Sequence, residues 1–210
     1  MKLQAAIDRV SLDKALDLVA KFDGVVDIIE LGTSIIKDYG METLKAQNLK
    51  LSNATLLLDI KTNDEGVYEF KKGYAVPADI LTVMASSSNE TIEQVYELSE
   101  AQGKATFIDL LGVTNDRVAE LKHLENAIFG LHHSKDTGGN FDAVATVADF
   151  HQAFPEIKHV AVAGGIDLDQ ATSSRSKVSL RSPLSVVKFL VRTIQWHQQN
   201  NLWRQSNEFN

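Results

Sequence analysis

The chain contains no cysteine. Disulfide bonds, thiolate metal sites and thiol-based catalysis are therefore all excluded, and a reducing cytoplasm is the expected location. Only three prolines occur in 210 residues, and none of them interrupts a predicted strand. Basic residues are outnumbered 21 to 28, giving a net charge of −7. Broad binding to a nucleic-acid backbone is not expected of such a chain. No apolar stretch is long enough to span a bilayer, so no membrane partner is expected. The first residues form a short apolar run ended by Asp8, unlike a secretory signal. With 44% hydrophobic and 23% charged residues, the composition is that of an ordinary soluble domain with one sizeable core.

Seven short apolar runs punctuate the sequence, at residues 3–7, 25–29, 55–58, 80–83, 105–108, 127–131 and 160–163. Segments with helical spacing lie between them. Ser11 precedes the stripe Leu12, Ala15, Leu16 and Val19, and Asn89 precedes Ile92, Val95, Tyr96 and Leu98. Thr114 opens a segment with Val118 and Leu121 on one face, and Asn140 precedes Phe141, Val144, Val147, Ala148 and Phe150. Strands alternating with helices in this way pair in parallel through βαβ crossovers.

Parallel strands buried on both faces suit either an open sheet or a closed barrel, and the polar residues decide between them. Asp8 ends the first run, Glu30 the second, and Asp59 with Lys61 the third. Asp109 ends the fifth, His132 the sixth, and Gly164-Gly165 the seventh. The fourth ends in Met84, followed only by small and polar residues. A barrel gathers all such ends on one face, whereas an open sheet gathers only those at its switch point. A (β/α) barrel of the TIM type is therefore predicted, and its usual eight strands are one more than the runs found here.

Its chemistry centres on Leu58-Asp59-Ile60-Lys61-Thr62-Asn63-Asp64. Strand periodicity puts Asp59 and Lys61 on one side, with Asp64 just past the strand end. A lysine among carboxylates stays charged, which argues against a Schiff base and for oxyanion stabilisation or proton relay. Glu30 and Asp59 are the candidate ligands of Mg²⁺, which commonly takes one or two carboxylates; the alternative pairs Glu30 with Lys61. His132 is preferred to His133 as an acid–base group or a polar anchor, while His123, His151, His159 and His197 read as surface residues. Gly164 and Gly165 suit a phosphate, because glycine lets backbone N–H groups approach it closely.

These segments, with residues 26–33 and 160–166, resemble motifs of the orotidine-monophosphate-decarboxylase-like barrels, as far as about Gln170. The resemblance implies a homodimeric, Mg²⁺-dependent lyase working through an enediolate of a sugar phosphate. The enediolate of D-ribulose 5-phosphate would add to formaldehyde; the alternative is decarboxylation of a 3-keto sugar-acid phosphate, or an inactive sugar-phosphate-binding barrel. It assigns the metal to Glu30 and Asp59, and places Lys61 and Asp64 beside the reacting carbons. Asp64 would enter the neighbouring subunit's site, Asp8 would touch the substrate, and Gly164-Gly165 would hold phosphate. Asp109 favours the aldol activity, since decarboxylases of the group usually carry glutamate there. Lys135, within His132-His133-Ser134-Lys135-Asp136, stands where those decarboxylases have an arginine.

Beyond Gln170 the pattern stops. A barrel domain over residues 1–172 and an atypical tail over 173–210 are expected, with the eighth strand and final helix altered or missing. Read one base out of frame, Val186 through Lys188 permit Gly-Gly-Lys, and the codons that follow permit a family-like terminal helix. A frameshift near Ser173 is the expected origin of the tail.

Overall fold

The computed structural model describes residues 2–132, 143–163 and 189–196. The elements run β1 (Lys2–Ile7), α1 (Leu12–Phe22), β2 (Ile28–Leu31), α2 (Thr33–Ala46), β3 (Thr55–Thr62) and α3 (Gly66–Ala75). They continue with β4 (Ile80–Met84), α4 (Asn89–Ala101), β5 (Ala105–Asp109), α5 (Asn115–Leu121), β6 (Ile128–His132), α6 (Ala143–Ala153), β7 (His159–Ala163) and β8 (Phe189–Trp196). Successive strands pair in parallel in chain order, and β8 pairs with β1 to close the barrel. The TIM-type fold expected from the strand–helix rhythm is the fold observed.

The eighth strand comes from the atypical segment. Phe189–Trp196 lies within the segment set apart as a tail, yet its backbone pairs with β7 on one side and β1 on the other. Aromatic and β-branched residues supply its strand propensity. The expected alteration of the final helix lies outside the described residues.

Helix starts follow local chemistry. Ser11 caps α1 by accepting from the Lys14 N–H, and Thr114 is the cap residue of α5. The cap of α4 is Ser88 rather than Asn89, its hydroxyl accepting from the Thr91 N–H at 3.1 Å. Asn140 lies outside the described residues. The second apolar run is also displaced, because the N–H groups of Val25 and Val26 still bond the Phe22 carbonyl at the end of α1. Strand β2 therefore begins at Ile28, and Glu30 falls inside it.

The apolar residues divide into two sets. Ile7, Ile29, Leu31, Leu58, Leu81, Ile108 and Phe129 are wholly or almost wholly buried, in the larger cluster that also contains the buried helix residues. Ile28, Leu57, Ile80, Phe107, Ile128 and Ala161, one from each of β2 to β7, form the separate cluster that fills the barrel interior. Gly130 belongs to this packing, because a Cβ there would meet the Phe107 ring at 2.2 Å. Two residues beyond an inward apolar side chain, the next inward position lies nearer the C-terminal mouth. Those positions are Glu30, Asp59, Thr82, Asp109 and Gly130, with His132 one step further.

Candidate active site

The mouth is organised around Lys61. Its ammonium lies 2.5 Å from Asp109 Oδ2 and 3.3 Å from Asp59 Oδ2. Burial alone would favour the neutral amine, but the charges of Asp59 and Asp109 outweigh it and hold the Lys61 pKa above that of an ordinary lysine. A permanently cationic Lys61 is what the surrounding carboxylates predict. Simple alternation does not deliver it, however. Leu58 pairs with Leu81 and Thr62 with Val83, so β3 carries a bulge between them, and Lys61 sits there at φ 49°. For a non-glycine residue that conformation costs on the order of 1 kcal/mol. The bulge lets Asp59 and Lys61 meet while Ile60 packs against the outer core.

Asp109 is buried at the end of β5 and holds two partners on one oxygen. Oδ2 faces Lys61 and also His132 Nδ1 at 3.2 Å, while Oδ1 accepts the Leu111 N–H at 2.9 Å. Burial pushes the Asp109 carboxyl up, but the His132 hydrogen bond and the Lys61 charge prevail and hold it at about 2. His132 thus joins the site through Asp109.

Asp59 is gripped by two hydroxyls. Thr82 donates to Oδ1 at 2.8 Å and Thr33, the first residue of α2, donates to Oδ2 at 2.5 Å. Glu30, surrounded by protein at the open mouth, accepts from Gln4 Nε2 at 2.5 Å rather than pairing with Lys61. Burial first, and then the Asp59 charge, push the Glu30 carboxyl up to about 8, against the pull of the Gln4 bond. Asp8 accepts from the Ser34 hydroxyl at 2.8 Å and from its N–H at 3.4 Å, at the start of α2. Gly32 leaves room for this carboxylate, since a Cβ there would lie 2.3 Å from it and Asp8 would have to shift.

Asp8, Glu30, Asp59, Lys61, Asp109 and His132 are therefore brought to one mouth. Asp64 is not joined to Lys61. It is exposed past β3, with Oδ1 accepting the Glu65 N–H at 2.8 Å. Lys135, Gly164, Gly165 and His133 lie outside the described residues. His123 is exposed as expected, whereas His151 has a buried Nε2 with no hydrogen-bond partner among the described residues, and His159 opens β7.

Sequence reasoning missed Gln4, Thr33, Ser34 and Thr82. One signal pointed to Thr82: it follows inward Ile80 by two residues, as Asp59 follows Leu57 and Asp109 follows Phe107. The neighbouring loop is also held from outside. Arg117 on α5 donates to the carbonyls of Ala85 at 2.7 Å and Ser87 at 2.6 Å, and to the Asn89 side chain.

A buried carboxylate pair fits a hard divalent cation. The Asp59 charge raises the cost of charging Glu30, and carboxylate oxygens are the ligands that such a cation takes. The buried Gln4 Oε1, which has no hydrogen-bond partner among the described residues, adds a further oxygen beside Glu30.

The chain matches the family described as orotidine 5'-phosphate decarboxylase / HUMPS over residues 1–180. A 3-hexulose-6-phosphate synthase from Methylomonas aminofaciens is 34% identical over 169 residues, covering 78% of this chain and 79% of that protein. A crystal structure of 3-hexulose-6-phosphate synthase superposes with a TM-score of 0.77 at 28% identity, covering 93% of this chain and 90% of that one. The 3-keto-L-gulonate-6-phosphate decarboxylase from Vibrio cholerae shares the fold, with a TM-score of 0.73 at 20% identity over 91% of this chain and 87% of that one. Matched over all of β1 to β7 and folded as these relatives are, the chain belongs to the orotidine 5'-phosphate decarboxylase / HUMPS family.

Proposed function

We propose that the chain is an aldol-type lyase that joins formaldehyde to D-ribulose 5-phosphate, giving 3-hexulose 6-phosphate. The observation that carries this reading is the cationic Lys61 held between Asp59 and Asp109 at the barrel mouth. Relatives about 30% identical over most of the chain are named for this reaction.

The reaction removes a proton from the carbon beside the ketone, forms a bond from that carbon to formaldehyde, and protonates the formaldehyde oxygen. Lys61, pinned as a cation, stabilises the negative charge that develops on substrate oxygen. His132, with Nδ1 engaged by Asp109, would carry the proton between carbon and oxygen on Nε2. Asp109 orients both groups and balances their charge. Mg²⁺, held by Glu30 and Asp59, would supply positive charge that polarises the ketone and acidifies the neighbouring carbon.

Four carboxylates, those of Asp8, Glu30, Asp59 and Asp109, crowd this part of the mouth, so the substrate phosphate belongs elsewhere. Gly164, Gly165 and Lys135 are its proposed partners. Asp64 is exposed and free of Lys61, as expected of a residue that enters the site of a second subunit in a homodimer. A cytoplasmic location completes the reading; among the described residues no helix is long and apolar enough to cross a membrane.

The test is substrate choice. Purified protein with Mg²⁺ should consume formaldehyde only when ribulose 5-phosphate is present. Release of CO₂ from 3-keto-L-gulonate 6-phosphate without formaldehyde consumption would replace the aldol reading by the decarboxylase one.

A further inference from the structure

We infer that Thr82 is a positioning residue that sets Asp59 and Lys61 in mutual register through a single hydroxyl. The inference deepens the aldolase reading and rests on it. Thr82 lies on β4, whose end contributes no charged group, and it is 2% exposed. Two bonds converge on its Oγ1, one from the Lys61 N–H and one to Asp59 Oδ1, each 2.8 Å long. A backbone N–H can only donate, so the hydroxyl oxygen accepts from Lys61. Its one proton is then committed to Asp59. The directions of both bonds are therefore fixed by chemistry.

The consequence lies in what these bonds connect. The Lys61 N–H belongs to the bulged segment, where the backbone is left-handed and the ladder between β3 and β4 is interrupted. Thr82 anchors that segment. The same oxygen's proton fixes one edge of the Asp59 carboxylate, and Thr33 fixes the other. Lys61 Nζ then meets Asp59 Oδ2 at 3.3 Å. Acid and ammonium arise from one strand, but their relative placement is set by a hydroxyl on the next.

The decisive variants are Thr82→Val, which keeps the shape and removes the hydroxyl, and Thr82→Ser, which keeps the hydroxyl. Aldol kinetics with ribulose 5-phosphate and formaldehyde should show Thr82→Val losing about 10- to 100-fold in kcat, with KM within about threefold, because misplacement falls on the reacting groups. Thr82→Ser should stay within about threefold of the parent. A merely structural role would instead lower the melting temperature and leave kcat per folded molecule unchanged, which overturns the inference. A crystal structure of Thr82→Val decides it without any activity: a displaced Asp59 carboxylate or a relaxed Lys61 backbone supports the inference, and unchanged positions refute it. If the parent enzyme shows no aldol turnover, the functional reading fails, while the crystallographic comparison still judges Thr82.

Discussion

Lys61 Nζ lies 2.5 Å from Asp109 Oδ2, the oxygen that also meets His132 Nδ1. One buried carboxylate thus holds both the cation and the imidazole of the mouth. Asp109→Asn should lower kcat by about 100-fold, because His132 loses its orienting charge and Lys61 loses its shortest partner. Turnover measured beside melting temperature separates this effect from unfolding.

The same carboxylate gives a pH dependence of stability. Its folded pKa is about 2, against an ordinary 3.8. A depressed carboxylate stabilises the fold fully above its ordinary pKa, and the contribution disappears as pH falls through the folded value. Asp109 should therefore supply on the order of 2 kcal/mol at neutral pH, lost between about pH 4 and pH 2. Urea titrations across that window should show a shallower acid loss in Asp109→Asn than in the parent. Equal slopes would contradict the assignment.

Glu30 and Asp59 should govern the metal requirement. Chelation should abolish turnover, and Mg²⁺ should restore it. Glu30→Gln should raise the Mg²⁺ concentration for half-maximal activity by about tenfold or more, since one of two carboxylate ligands is lost. Direct Mn²⁺ binding by electron paramagnetic resonance checks the affinity without relying on catalysis. Unchanged Mn²⁺ affinity in Glu30→Gln would remove Glu30 from the ligand set.

Arg117 clamps the loop after β4 through the carbonyls of Ala85 and Ser87. Arg117→Ala leaves those carbonyls without their charged donor and should cost about 1–3 kcal/mol of stability. Chemical denaturation measures this directly. Because Ser87 in turn reaches the Thr62 carbonyl and the Asn63 side chain at 3.4 Å each, a modest fall in activity should accompany it.

The charged half of the mouth was legible in the sequence for a simple reason. Asp59 and Asp109 follow inward Leu57 and Phe107 by two residues, and a charge at that spacing stands out against an apolar run. Thr82 has the same spacing, but a threonine inside a β-branched strand carries no such contrast. The bulge at Lys61 was invisible too, because it depends on a bond to another strand. Strand β8 was hidden by its flanks: the serines and arginines before it and the glutamines and asparagines after it mask eight residues of good strand propensity.

Those flanks carry their own test. The family match ends at residue 180, before β8. The gene's nucleotide sequence, read one base out of frame from about Ser173, should encode a Gly-Gly-Lys turn and a closing helix. An early stop codon in that frame would end the frameshift explanation.

The central claim, that Lys61 at this barrel mouth drives aldol chemistry, is tested most directly by formaldehyde consumption with ribulose 5-phosphate and Mg²⁺, comparing the parent with Lys61→Ala. The account predicts turnover by the parent and a loss of about 1,000-fold or more in a variant that still folds, because no other cation among the described residues meets Asp59 or Asp109 with its ammonium or guanidinium. Turnover in Lys61→Ala at the parental rate would contradict it.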